Sequence, residues 1–247
     1  MKLNNTTAVI TGSTGRLGSA IALALAKAGC NCLCHYHKNK QRAADLVKQV
    51  QSLASNALAV AADLTNPNQI EHLFEKAKAF DSPQILINSA AVFSKQPLNE
   101  VNFQETQEIL NLNLTAAILT SREFAEMIKE KFHDAKTATA KIINISDIGG
   151  IRPWANYVVY CSSKAGLIGA TKALAKELAP AVCVNSVAPG LLNWPDDPDE
   201  DEKKRQLALI PMARIAEPKD VTDAIIFLLK NDYITGQVLN VDGGRCI

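Results

Sequence analysis

The sequence has no excess of either charge: 26 Lys and Arg stand against 25 Asp and Glu, a net charge of +1 over 247 residues. A nucleic-acid binder ordinarily carries a basic excess or a basic face, so that class is disfavoured. Aromatic residues are scarce, 13 in all, too few for a platform on which bases stack. Gly and Pro total 22, which excludes low-complexity and collagen-like chains. Long apolar runs are missing too. Ile21–Ala26 is stopped by Lys27, far short of the ~18 residues that span a bilayer. Met1–Thr7 has no apolar run of the signal-peptide kind, so a cytoplasmic protein that meets neither membrane nor nucleic acid is expected. The six cysteines form no C-x-x-C pair. Cys30, Cys32 and Cys34 alternate, which puts all three on one face of a strand, where they are expected to pack as small hydrophobes rather than bind a metal.

What is present is an ordinary globular composition, 47% hydrophobic and 21% charged, long enough for one large domain. Short apolar runs alternate with stretches of helical spacing. Strands are expected at Ala8–Thr11, Asn31–Tyr36, Ala57–Ala62, Gln84–Asn88, Lys141–Ser146, Val182–Val187 and Val238–Val241. Helices are expected near Arg16–Ala28, Arg42–Leu53, Gln69–Ala79, Phe103–Lys131 and Asn156–Leu178. Continuous apolar strands separated by helices imply a parallel sheet covered on both faces. The expected fold class is therefore α/β: a doubly wound, Rossmann-type sheet of about seven strands in a single domain over residues 1–247. The run Asp196–Arg205 passes from acidic to basic. Its charges fit a solvated loop and the start of a helix, and its position after the sixth strand fits a lid.

Open α/β sheets bind ligands beyond the carboxyl ends of their strands. The first such turn reads Thr11-Gly12-Ser13-Thr14-Gly15-Arg16-Leu17-Gly18, between a strand and a helix. Glycines there let the backbone approach a pyrophosphate, and the helix N-terminus offers unpaired N–H groups. An NAD site wants a carboxylate ~20 residues further on, to hold the ribose 2′-hydroxyl. No Asp or Glu occurs between Gly12 and Asp45; His37, Lys38, Asn39, Lys40 and Arg42 stand there instead. Cations suit a 2′-phosphate, which favours NADP(H).

Tyr160 and Lys164 lie four residues apart and share a helix face. A nearby ammonium is expected to lower the tyrosine pKa and make Tyr160 a usable acid or base. Asp63-Leu64 follows the third strand, Asn88-Ser89-Ala90-Ala91 the fourth, Asn113 lies in the long helix, Pro189-Gly190 follows the sixth strand, and Val241-Asp242-Gly243-Gly244 comes near the end. Taken in order with the glycine turn and Tyr160-x-x-x-Lys164, these resemble the short-chain dehydrogenase/reductase family over nearly the whole chain. The resemblance implies a nicotinamide-dependent oxidoreductase, commonly a homotetramer. It implies Tyr160 as proton donor, Lys164 on the nicotinamide ribose, and Asn113 as anchor of a relay water. It also implies that Asp63 faces the adenine and that Asn88 and Ala90 line the cofactor, with Gly12, Ser13, Arg16, Leu17, Gly18, Leu64, Pro189 and Gly190 completing its site.

Two departures from the family pattern stand out. Arg16 replaces a usual Gly, and Asp147, thirteen residues before Tyr160, replaces a usual Ser. Ser146 is one place early, and a one-residue slip on a strand end turns a side chain to the other face. Both departures, with Cys34–Lys38 and Asn88–Phe93, resemble the pteridine reductase branch. That resemblance implies a pterin or folate stacked on Phe93, with Asp147, Tyr160 and Arg16 around it and Tyr157 nearby. Planar heterocycles suit an aromatic face, and reduction of C=N needs a proton delivered to nitrogen. The alternative enzyme reading is a carbonyl reductase, such as a 3-oxoacyl-thioester reductase. An ionised Asp147 opposes it, since a carboxylate does not stabilise a developing alkoxide. A non-catalytic NADP-binding sensor is opposed by the presence of Tyr160, Lys164 and Asn113 together.

Overall fold

The computed structural model describes residues 1–81, 83–131, 138–194 and 198–247. Seven parallel strands form one sheet: β1 (Thr7–Ile10), β2 (Asn31–Tyr36), β3 (Ala57–Ala61), β4 (Ile85–Asn88), β5 (Ala140–Ile145), β6 (Val182–Pro189) and β7 (Val238–Val241). Their order across the sheet is β3-β2-β1-β4-β5-β6-β7. The chain thus winds outward from β1 in one direction and from β4 in the other. The crevice where the order reverses lies beyond the carboxyl ends of β1 and β4, where doubly wound sheets bind ligands.

Helices α1 (Arg16–Lys27), α2 (Lys40–Gln51), α3 (Pro67–Asp81), α4 (Phe103–Leu110), α5 (Ala116–Lys131), α6 (Val158–Leu178), α7 (Glu200–Ala208) and α8 (Pro218–Lys230) connect the strands. On one face of the sheet Ile21 and Leu25 of α1 meet Val221 and Ile225 of α8 over Ile10, Ile85 and Ile143. On the other, Leu73 of α3 and Phe124 and Ile128 of α5 cover Val9, Leu86 and Ile142. The central strands β1, β4, β5 and β6 are buried on both faces, which is why they are continuous apolar runs rather than alternating ones. Cys30, Cys32 and Cys34 are buried in the first of these clusters. Burial raises all three thiols, Cys34 up to about 12, so they stay protonated and pack as small hydrophobes.

Three differences from the expected elements have physical causes. The helix expected over 103–131 is three pieces, because a π-helical turn at Asn111–Thr115 joins α4 to α5. One extra residue per turn there rotates Asn113 inward, where it is 1% exposed. Helix α8 lies outside the expected set. Its start carries a capping box between Glu217 and Asp220, with Pro218 in the first turn, and Val221, Ile225, Leu228 and Leu229 are buried. Helix α7 begins where the acidic run suggested, with Asp199 accepting from Glu202 N at 2.7 Å. Asp196 and Asp197 of that run lie outside the described residues. Among the described residues, no helix is long and apolar enough to cross a membrane.

At the amino end of the sheet, away from the crevice, Lys141 is fully buried on β5. Its Nζ reaches Asn231 O at 2.6 Å and Asp232 Oδ1 at 2.8 Å. Asp232 also accepts from the N-terminal ammonium at 2.7 Å, and the two cations hold its carboxyl below the usual range. Replacing Asp232 with Asn leaves a buried ammonium without its counter-charge. We expect a loss of about 1–3 kcal/mol, read by urea unfolding. An unchanged unfolding midpoint would show that Asn231 O and Cys183 Sγ suffice for Lys141.

Candidate active site

The glycine turn between β1 and α1 is held from three sides. Thr11 Oγ1 accepts from Ser89 N at 2.9 Å and Ala90 N at 3.1 Å, tying the turn to the end of β4. Gly12 has φ +64°, and a Cβ there would lie 2.8 Å from Ala90 Cα, so only glycine fits. Gly12 N donates to His35 Nδ1 at 3.0 Å, and His35 Nε2 lies 2.9 Å from Ala62 O. The neutral ring therefore carries its proton on Nε2. It links the turn to the ends of β2 and β3. Helix α1 then opens without a side-chain cap and with no acid in its first turn, whereas Asn39, Asn102 and Asp199 cap α2, α4 and α7. Uncapped N–H groups facing a glycine turn are the donor set that a pyrophosphate takes.

Several expected cofactor residues sit around this turn. Arg16 is the first residue of α1 and is exposed; His37 and Lys38 are exposed just past β2. Asp63 faces them. Its carboxyl is held below the usual range by Thr65, whose hydroxyl and N–H donate at 2.7 and 2.9 Å, and also by the His37 and Lys38 charges. At the other end, Gly190 follows β6 and donates to Val241 O at 2.9 Å. A Cβ at Gly190 would lie 2.8 Å from Asp242 Cα. Pro189 closes β6, Leu64 is buried, and Leu17 packs against the core of α1.

Three expected residues have side chains bonded within the fold. Ser13 is fully buried and its hydroxyl donates to His35 O at 2.9 Å, which shapes the turn. Asn39 commits its side-chain oxygen to Arg42 N, capping α2. Asn88 is 4% exposed and locked between strands and helix. Its Nδ2 donates to Asn144 Oδ1 at 2.9 Å and Ser121 Oγ at 3.2 Å, and its Oδ1 accepts from Thr120 at 2.8 Å.

The chemical end is built on β5 and α6. Tyr160, 5% exposed, donates its hydroxyl to Asp147 Oδ2 at 2.9 Å. Asp147 is fixed by Gly149 N, which donates to Oδ1 at 2.6 Å. Ser146 turns the other way, its hydroxyl bonded to Ser186 Oγ at 2.6 Å, so the one-residue slip does remove it from the site. Lys164 lies under the ring, Nζ 5.8 Å from the Tyr160 centroid, and donates to Ile145 O at 2.9 Å. Burial brings Lys164 down to about 8, opposed by the Asp147 charge. The expected lowering of the tyrosine is corrected: burial, then the Asp147 charge and hydrogen bond, raise it well above its ordinary value. Burial also raises Asp147, against Gly149 N–H, Tyr160, Lys164 and Arg245. The phenol is thus held protonated beside an acceptor, the arrangement of a proton donor awaiting a base.

Asn113 accepts from Val92 N at 2.8 Å and donates to Val92 O at 2.9 Å and Ser163 Oγ at 3.2 Å. Its side chain therefore positions the loop that carries Phe93 rather than reaching Tyr160. Phe93 is 52% exposed. It meets Tyr160 edge-on at 4.8 Å between centroids and Tyr157 at 5.0 Å, and Trp154 closes on Tyr157 at 5.7 Å. Trp154 and Arg245 were not singled out in the sequence. Arg245 follows Asp242-Gly243-Gly244, and a cation directly after that turn is the signal that could have found it.

With this geometry in hand, comparison with known proteins is informative. A family model described as enoyl-(acyl carrier protein) reductase matches residues 13–245. The chain belongs to the short-chain dehydrogenase/reductase family. It is 33% identical to a 3-oxoacyl-(acyl-carrier-protein) reductase of Aquifex aeolicus, over 99% of this chain and 98% of that protein. It is 32% identical to a 3beta-hydroxysteroid dehydrogenase 1 of Eggerthella lenta, over 99% and 95%. The fold matches the crystal structure of a short-chain alcohol dehydrogenase of Sinorhizobium meliloti 1021 with a TM-score of 0.89, at 26% identity, over 99% and 98% of the two chains. The protein is an oxidoreductase of this family. The matched relatives support the oxidoreductase class and leave the pteridine branch without support of its own.

The His35 link carries a pH dependence. Burial lowers its pKa to about 4 from an unfolded value near 6.5. Stability supplied by the neutral ring is complete above pH ~6.5 and is lost as pH falls towards 4, on the order of 3 kcal/mol. Denaturant midpoints measured between pH 7 and 4 should show this loss, and His35→Gln should flatten it. Identical pH profiles would remove His35 from the account.

Proposed function

We propose that the protein is an NADPH-dependent reductase, a single cofactor-binding domain over residues 1–247, that reduces a C=N bond of a planar nitrogen heterocycle of the pterin class. The observation that carries this reading is the hydrogen bond from Tyr160 to Asp147 at 2.9 Å, where the family has a serine. A carboxylate there accepts from ring N–H and amino donors, and Tyr160 delivers the proton to the ring nitrogen. Phe93, half exposed beside Tyr160 and Tyr157, offers the stacking face. When bound, the reduced nicotinamide supplies the hydride. Lys164 keeps positive charge beneath Tyr160 and steadies the phenolate as its proton leaves.

A second reading has its own support: reduction of a 3-oxoacyl thioester, the activity named for the relatives at 31–34% identity. Those names favour the thioester over the pterin. Asp147→Ser separates the two. On the pterin reading, dihydropterin turnover by the variant falls by about one to two decades, the loss of a charge-assisted hydrogen bond, while acetoacetyl-thioester turnover holds or rises. Wild-type preference for the thioester, or pterin turnover that survives the substitution, would assign the protein to the second reading.

The cofactor preference rests on Arg16, His37 and Lys38 around the 2′-phosphate position, with Asp63 opposing them. Each charged phosphate contact is worth roughly 1.5–3 kcal/mol, so NADPH should bind ten- to a hundredfold more tightly than NADH, and Lys38→Ala should narrow the gap. Equal dissociation constants measured by fluorescence would contradict it. A homotetramer is supported by the open edge of β7 and by Phe227 of α8, 55% exposed beside that edge of the fold.

A further inference from the structure

Three of the seven arginines are paired with carboxylates. Arg122 is bonded to Glu123, Arg205 to Glu202, and Arg214 to Asp220 through two nitrogens. Arg245 and Arg152 differ. Arg245 Nη2 donates to the neutral Gln206 Oε1 at 2.6 Å, and its Nη1 is buried with no hydrogen-bond partner among the described residues. Arg152, exposed on the turn after Asp147, donates through Nη1 to Arg245 O at 3.2 Å. The two positive charges act on each other, and Arg245 also feels the carboxylate of Asp147. The nearby carboxylate of Asp242 is spent on the tail backbone, accepting from Gly244 N and Cys246 N at 2.9 Å each. Arg152 thus reaches the backbone of Arg245, whose charge acts on Asp147, and Arg245 holds a buried N–H without an acceptor. A buried donor without an acceptor is costly, and an anion that supplies one recovers that cost.

We propose that Arg245 and Arg152 form an anion subsite near Asp147, and that the natural substrate carries an oxyanion, a carboxylate or a phosphate, apart from the group being reduced. The planar fork of a guanidinium matches both anions, and two forks from different elements fix the orientation of the acid. Gln206 lies on α7, so the helix that follows β6 takes part by holding Arg245 in place. The subsite does not depend on whether a heterocycle or a thioester is reduced.

Calorimetric titration of the full-length protein with benzoate, its neutral isostere benzamide, and inorganic phosphate tests it. Benzoate should bind at least about tenfold more tightly than benzamide, and phosphate against benzoate tells which anion the subsite takes. Arg152→Gln and Arg245→Gln should each weaken the preferred anion by about ten- to a hundredfold. Arg205→Gln, on the exposed side of α7, should change nothing. Arg152 is exposed, so its variant folds even if Arg245→Gln does not. Equal binding of benzoate and benzamide, or anion binding that survives both substitutions, would overturn the subsite. Failure of pterin turnover alone would leave it standing.

Discussion

A phenol and a carboxylate buried within hydrogen-bond distance of each other constrain the rest of this structure. Asp147 stands at the end of β5 in extended backbone, its side chain capping the short turn that follows. Tyr160 stands one turn into α6. Strand and helix must meet at a fixed distance for the two to touch, and a glycine permits that meeting. A Cβ on Gly150 would lie 2.7 Å from Lys164 C, so the turn after Asp147 can press against α6 only because Gly150 has no side chain. Lys164, one helical turn beyond Tyr160, then reaches back to Ile145 O on β5 and closes the same contact from below.

The electrostatics follow from that geometry. Three ionisable groups share one buried volume, and each is pushed towards its neutral form by burial while the others' charges oppose or add to the push. Lys164 comes down, Asp147 goes up, and Tyr160 goes up furthest, since both burial and Asp147 disfavour a phenolate. The free protein thus stores the proton on Tyr160. Release requires a base that the free site lacks, while the positive charge of Lys164 is already in place beneath the ring. Phe93 and Tyr157 bound the same space on the open side with an aromatic face.

Much of this was legible in the sequence because apolar continuity and turn chemistry are local signals. The seven strands, the glycine turn, the Tyr160–Lys164 spacing and the slip that separates Ser146 from Asp147 all follow from period and residue type. What was not legible is decided by neighbours distant in sequence. Asn88 and Ser13 read as cofactor residues, yet Asn144, Ser121 and the carbonyl of His35 claim their side chains. The π-helical turn at Asn113 has no mark in the periodicity, because it is stabilised by Val92 and Ser163. The ammonium of Lys164 promised a lowered tyrosine pKa, and only the structure places Asp147 closer to the hydroxyl. Helix α8, by contrast, had a readable start in Glu217-Pro218-Lys219-Asp220.

The account stands on Tyr160 as the proton donor held by Asp147. The direct measurement is the rate of NADPH oxidation by Tyr160→Phe, with whichever substrate the wild type reduces, beside the NADPH dissociation constant of both proteins. Removing one hydroxyl leaves the ring against Phe93 and over Lys164, so cofactor affinity should be unchanged while turnover falls by roughly 10²–10⁴-fold. Turnover within a few fold of wild type would mean that another group supplies the proton, and the arrangement of Asp147, Tyr160 and Lys164 would be structural.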